Sequence, residues 1–198
     1  MKKYLLLALL MGCLLPTQAQ SDYYHVWEAS VQVGHQPLSL FVPDFRTIHP
    51  GMGISVLRRW NSHAQHQLIQ RGTIDFFSHR DLQQALRLHT EFGYRYRSTR
   101  GFQISPLLIG GGYVLAFPDL ATLERDADGV YKEVGLPTRQ NWMIQLGADI
   151  GYHFFDARGG KGLSLDLSYR LQVQGTFASE TVPVIAYTPL WLRLSLPF

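Results

Sequence analysis

Apolar and polar side chains alternate along much of this chain, most sharply towards its end. Within residues 162–175, Leu163, Leu165, Leu167, Tyr169, Leu171 and Val173 share one face. Ser164, Asp166, Ser168, Arg170, Gln172 and Gln174 share the other. Within 188–198, Leu190, Leu192, Leu194, Leu196 and Phe198 oppose Trp191, Arg193, Ser195 and Pro197. A period of two is the mark of a β-strand. The segment 141–154 sets Trp142, Ile144, Leu146, Ala148, Ile150, Tyr152 and Phe154 against Met143, Gln145, Gly147, Asp149, Gly151 and His153. In 82–98, Leu86, Leu88, Thr90, Phe92, Tyr94 and Tyr96 oppose Arg87, His89, Glu91, Gly93, Arg95 and Arg97. One face is bulky and apolar while the other carries charge, which suits a barrel with lipid outside and polar side chains inside.

Extended along the chain, the pattern predicts eight strands: 24–35, 50–61, 66–77, 82–98, 101–116, 141–154, 162–175 and 188–198. The first is short and reads either as a barrel strand or as a peripheral segment. In 101–116, Pro106 removes a ladder donor, and Gly110-Gly111-Gly112 predicts a bulge where the facing parity slips. The connections 36–49, 117–140 and 176–187 are long, and they alternate with tighter ones at 62–65, 99–100 and the Gly-rich 155–161; the exception is the short 78–81. Long outer loops and short inner turns are the habit of outer-membrane barrels. Phe102, Tyr94, Tyr96, Tyr152, Phe154 and Phe198 fall at one set of strand ends and Trp142 and Phe76 at the other, which resembles two interfacial girdles.

The N-terminus narrows the compartment. Lys2-Lys3, an apolar run from Tyr4 to Leu15 and a small residue at Ala19 form a secretory signal peptide over 1–19, with a barrel domain over 20–198. The run is too short for a membrane-spanning helix, which needs about 20 residues. Leu10-Met11-Gly12-Cys13 is a degenerate lipoprotein box that competes with this reading. Cleavage after Ala19 removes Cys13, leaving no thiol for a disulfide, a metal site or a nucleophile. Removing Lys2 and Lys3 from the 18 Lys and Arg leaves 16 against 15 Asp and Glu, so the sequence pI near 9.1 implies no nucleic-acid partner.

The polar faces collect Glu28, Arg71, Asp75, Arg87, His89, Glu91, Arg95, Arg97, Asp149, His153, Asp166, Arg170 and Arg193. An eight-stranded barrel has room only for side chains in its interior, and buried charges must pair. A polar interior built on Arg87, His89, Glu91, Arg95, Asp149, His153, Asp166, Arg170 and Arg193 is therefore expected. His89 with Glu91 and His153 with Asp149 are conceivable acid–base pairs, but residues two apart on a strand lie about 6–7 Å apart. Ser78-His79-Arg80-Asp81 gathers catalytic residue types at a turn, but adjacent turn residues point in divergent directions and polar turn chemistry explains them better. Asp126-Ala127-Asp128-Gly129 opens like a calcium loop, but the twelfth position, which needs Glu, is Pro137. His63 and His66 lack further ligands. No catalytic residue, metal site or cofactor is assigned.

These features resemble the small eight-stranded outer-membrane barrels of the OmpA/OmpX type. Leu82-Gln83-Gln84-Ala85, Glu91-Phe92-Gly93-Tyr94-Arg95-Tyr96 and Gly111-Gly112-Tyr113 are similar to stretches of Bacteroidetes outer-membrane barrel proteins. The resemblance implies an all-β, single, antiparallel up-and-down transmembrane barrel. It also implies an assembly signal at Leu192, Leu194, Leu196 and Phe198, from which Pro197 departs. The partners it implies are outer-membrane lipid and lipopolysaccharide, the barrel-assembly machinery and periplasmic chaperones, with the outer loops free to bind a ligand. Three functions follow: a structural or surface-interaction protein of the outer membrane, a lipid-modifying barrel enzyme, and a soluble periplasmic barrel of lipocalin type. The enzyme requires Ser, His and acidic side chains converging at the outer rim. The lipocalin requires an apolar interior and a polar exterior.

Overall fold

The computed structural model describes residues 27–39, 41–80, 82–119, 121–125, 130–135, 137–154, 162–178 and 182–198. The signal-peptide and lipoprotein-box segments, Asp81, residues 126–129 and the Gly-rich turn 155–161 lie outside them. The described strands are β1 (Trp27–His35), β2 (Pro50–Arg59), β3 (His66–His79), β4 (Gln83–Arg97), β5 (Phe102–Pro118), β6 (Ala121–Arg125), β7 (Tyr131–Gly135), β8 (Arg139–Phe154), β9 (Leu163–Ala178), β10 (Val182–Tyr187) and β11 (Leu190–Pro197). All neighbours pair antiparallel, in the order β1-β2-β3-β4-β5-β8-β9, and β10 and β11 lie end to end against β9. β1 then closes the ring, with Ala29 opposite Val56 on β2 and Leu196 on β11. The segment 24–35 therefore supplies a wall strand from Trp27 onward, and the barrel has eight strand positions.

Three details differ from the sequence reading. First, 176–187 is mostly wall: β9 runs to Ala178, and Val182–Tyr187 pairs back along it. Pro183 is tolerated because the other edge of β10 carries no strand among the described residues. Second, β6 and β7 form a separate hairpin inside 117–140. Third, the bulge lies at Pro106, not at the triple glycine. Between Ile104 and Leu107 the chain gains one residue on β4, and the register with β8 shifts between Ser105 and Leu108. Ser105 and Leu108 both face inward, so parity flips there, while Gly110 to Gly112 pair without a shift. Proline lacks the N–H that a ladder position demands, so the unpaired place in the bulge falls to it.

The faces are inverted relative to a soluble barrel. Val31, Ile54, Leu88, Phe92, Ile144, Leu167 and Leu192 are exposed on the outer wall, and Phe102, Tyr152, Phe154 and Trp142 are exposed near strand ends. Arg71, Arg87 and Arg95 are at most 2% exposed in the interior. An apolar belt around a charged core is stable only where the surroundings are hydrocarbon, and ring closure pairs the described wall strands on both edges except along β10. The leucine faces point opposite to what a lipocalin-type ligand barrel needs.

The lumen is not polar throughout. At the distal end, away from Trp27 and Phe198, the inward side chains Phe77, Ala85, Val114, Ala116, Met143, Ile185 and Tyr187 form a buried apolar cluster. Trp191, 3% exposed, is also buried inside the wall. Close packing requires glycine at tight points. A Cβ on Gly147 would sit 2.3 Å from Arg170 Cδ, and one on Gly112 would sit 2.6 Å from His89 Cα.

Leu167→Arg puts a charge on the middle of the outer face and is expected to cost about 2–4 kcal/mol. A lower urea midpoint for the folded band on an unboiled gel is the measurement; an unchanged midpoint would place that face in water.

Candidate functional site in the lumen and at the distal rim

Alternation on four wall strands delivers the charged residues to one cavity. Arg87, His89, Glu91 and Arg95 come from β4, Asp149 and His153 from β8, Asp166 and Arg170 from β9, and Arg193 from β11. Each is at most 9% exposed. They fall into three groups along the barrel axis.

The middle group is the largest. Arg71 on β3 stands directly across from Glu91 and donates to it at 2.9 Å, and its other amino group reaches Asp149 at 3.0 Å. Arg170 donates to Glu91 through Nε and Nη2 and lies 2.7 Å from Asp149. Arg193 donates to Asp149 at 3.0 Å and to Gln32. Two carboxylates thus sit among three guanidinium groups. Such pairing is required here, because removing an ion from water carries a penalty of several kcal/mol that only good geometry offsets.

Nearer the distal end, Asp75 accepts from Arg87, its direct cross-strand partner, and from His89 Nε2 at 2.9 Å. The Gln145 amide donates to His89 Nδ1 at 2.8 Å and to Glu91 at 3.0 Å, joining this group to the middle one. Arg87 also touches the apolar cluster, with its guanidinium 4.8 Å from the Phe77 ring. At the proximal end, Arg95 and Arg97 both donate to Glu28, and Gln103 donates to Asp166. His153 shares a 2.7 Å hydrogen bond with Ser164, its cross-strand partner.

Neither conceivable acid–base pair forms as a contact. His89 engages Asp75 and Gln145, and Glu91 presents its oxygens to Arg71, Arg170 and Gln145. Asp149 is held by arginines. Carboxylates held this way are structural anions, poorly placed to take a proton from a substrate. Among the described residues, no group of three or more His, Cys, Asp or Glu could hold a metal ion.

Sequence reasoning missed a cluster at the distal rim. His49 and His79 stack with ring centroids 3.5 Å apart, and His35 lies 5.9 Å from His49. His49 N donates to His35 Nδ1, so the opposite ring nitrogen, Nε2, carries the proton given to the Asp44 carbonyl at 2.7 Å. The available signal was parity, because His49 and His79 extend the inward faces of β2 and β3. The arrangement is not a nucleophile site. Ser39 bonds Thr188, and the Asp44 carboxylate is taken by Arg46, whose hydrogen bonds hold its pKa at about 2. Burial, and then the neighbouring His79 and His35, pull the pKa of His49 below the ordinary 6.5.

No family model matches the chain, and no curated protein matches it. Among solved structures it is similar to the outer membrane enzyme PagL, at 13% identity and a TM-score of 0.44 over 84% of this chain and 97% of that one. It is also similar to Ail, the attachment invasion locus protein of Yersinia pestis, solved with the heparin analogue sucrose octasulfate. There the identity is 12% and the TM-score 0.41, over 87% of this chain and 99% of that one.

Glu91→Leu leaves Arg71 and Arg170 short of one anion and is expected to cost about 3–5 kcal/mol, read as the urea midpoint in detergent. At the rim, a detached His49 takes a proton near pH 6.5 while the docked ring resists it. Docking therefore holds above that pH and weakens as pH falls through it. Hydrogen exchange in 41–49 should accelerate from pH 7.5 to 5, and His49→Phe should flatten that response.

Proposed function

We propose that the protein is an integral outer-membrane β-barrel, placed in the membrane after export, with a closed lumen and a structural or surface-interaction role. One observation carries this reading: arginines and carboxylates fill the interior while leucines and aromatics cover the exterior. The paired charges and the distal apolar cluster occupy the space that a channel would need, which favours a plug over a pore. What the protein presents to partners is then its lipid-facing wall and its distal rim, with outer-membrane lipid and lipopolysaccharide as its surroundings.

Export through a signal peptide at 1–19 and a mature barrel domain from Gln20 belong to the same proposal, as do chaperone escort and recognition by the barrel-assembly machinery. The residues that fit an assembly signal are Leu192, Leu194, Leu196 and Phe198, all exposed on the outer face. Their setting supports that role, since β11 is the strand that closes onto β1.

Cell fractionation with an unboiled-versus-boiled gel tests the proposal. Recovery with outer membranes, and a band that shifts on boiling, is the expected outcome; recovery in the soluble periplasmic fraction without detergent would overturn it. Deleting Phe198 should reduce the membrane-inserted fraction several-fold while leaving export intact, measured by protease sensitivity of the periplasmic pool.

A further inference from the structure

The segment between β1 and β2 does not project from the barrel mouth. Gln36 and Pro37 still extend the wall, Gln36 N donating to the His49 carbonyl while its side chain is held inside by Arg87; beyond Pro37 the chain turns over the outside. Thr188 N donates to the Pro37 carbonyl, and the Ser39 and Thr188 hydroxyls share a hydrogen bond. Tyr169 then donates its hydroxyl to the Phe41 carbonyl. Thr188 and Tyr169 belong to the outward parity of the final wall strand and of β9. Thr188 is nonetheless fully buried, because the segment lies across it. Phe41 adopts φ 70, a left-handed conformation costly for a non-glycine residue, at the point where Tyr169 grips its carbonyl. The return limb is pinned by the His35 hydrogen bond to Asp44, by Phe45 with its ring 5.2 Å from His35, and by His49.

This strap exposes an unusual amount of apolar surface. Leu38, Phe41, Val42, Phe45 and Ile48 are between 47% and 71% exposed. Its one charged pair, Asp44 and Arg46, is internally neutralised. A loop bathed in water would be expected to bury or avoid such a run. Tyr169, which holds the Phe41 carbonyl, also lines a shallow, mainly apolar groove on the outer wall with Ile104, Ala148, Ile150, Leu167 and Leu190. The strap is therefore continuous with the lipid-facing belt.

We infer that the described residues between 38 and 48 form an interfacial strap seated in the outer leaflet, with Phe41, Val42 and Phe45 among the upper acyl chains and Asp44 and Arg46 at headgroup level. The occupant of its apolar face is lipid. Amphipathic segments with an apolar face and a polar edge take this position at a bilayer surface. The inference rests on the membrane reading above and deepens it: one of the three long connections is committed to the bilayer.

Site-directed spin labelling separates the two. Phe41→Cys, Phe45→Cys, Leu167→Cys and Tyr131→Cys are made with Cys13→Ser, labelled, and reconstituted in phosphatidylcholine vesicles. Accessibility to oxygen, which concentrates in lipid, is compared with accessibility to a water-soluble nickel chelate. The oxygen-to-nickel ratio at positions 41 and 45 is expected to be several-fold above that at Tyr131→Cys and on the same side as Leu167→Cys. Nickel-dominated relaxation at 41 and 45, with Leu167→Cys still in lipid, would overturn the strap and leave the barrel standing. Nickel dominance at Leu167→Cys as well would overturn both. Val42→Cys carries the same test should Phe41→Cys fail to fold.

Discussion

A ring of eight strands is too narrow to hold water around its charges, so every ion inside must be answered by another side chain. Glu91 and Asp149 meet that constraint by standing among Arg71, Arg170 and Arg193, which come from three different strands. The network spans β3, β4, β8, β9 and β11, so it also pins register. A one-residue slip of any of these strands would send a charge into lipid and a leucine into the lumen. The apolar belt and the ionic core are therefore one arrangement seen from two sides.

Towards its distal end the lumen grades from ionic to apolar, and Arg87 stands at the junction. Its guanidinium serves Asp75, Gln36 and Gln172 while lying against Phe77, with Trp191 5.5 Å away. Above it, Tyr187 accepts from Gln83 at 2.7 Å, so the only hydroxyl in that apolar cluster is met. Shielding by this cluster keeps water from the ions below, which strengthens their mutual attraction and raises the cost of leaving any of them alone.

Alternation made the wall legible: β4, β8, β9 and β11 follow it almost residue for residue. It assigns a side chain to a face but does not name its partner. That Arg170 reaches Asp149 and Glu91 depends on the stagger of strands around the ring, which no single segment encodes. Glutamines such as Gln145 and Gln32 carry no charge to draw attention, yet they join the groups. β10 falls within the stretch 176–187 expected as a connection, where Pro183 interrupts a short alternation. The triple glycine at 110–112 suggests a bulge, but the missing donor of Pro106 is what decides its place. The rim histidines were scattered over 35, 49 and 79, and only barrel closure gathers them. Parity puts Met143 on the inward face, but that it meets Phe77 and Tyr187 in one apolar cluster depends on closure of the ring.

The free edge of β10 has a consequence for where the membrane sits. Backbone pairing along β1 reaches His49 on one side and, through the Pro37 carbonyl, Thr188 on the other, while Val182–Tyr187 continues past that level with no described strand on its second edge. Hydrocarbon does not tolerate such a row. On this side of the barrel the waterline can therefore lie no farther out than the start of that edge, near Thr188. The break in the wall serves as a depth mark written in the backbone itself.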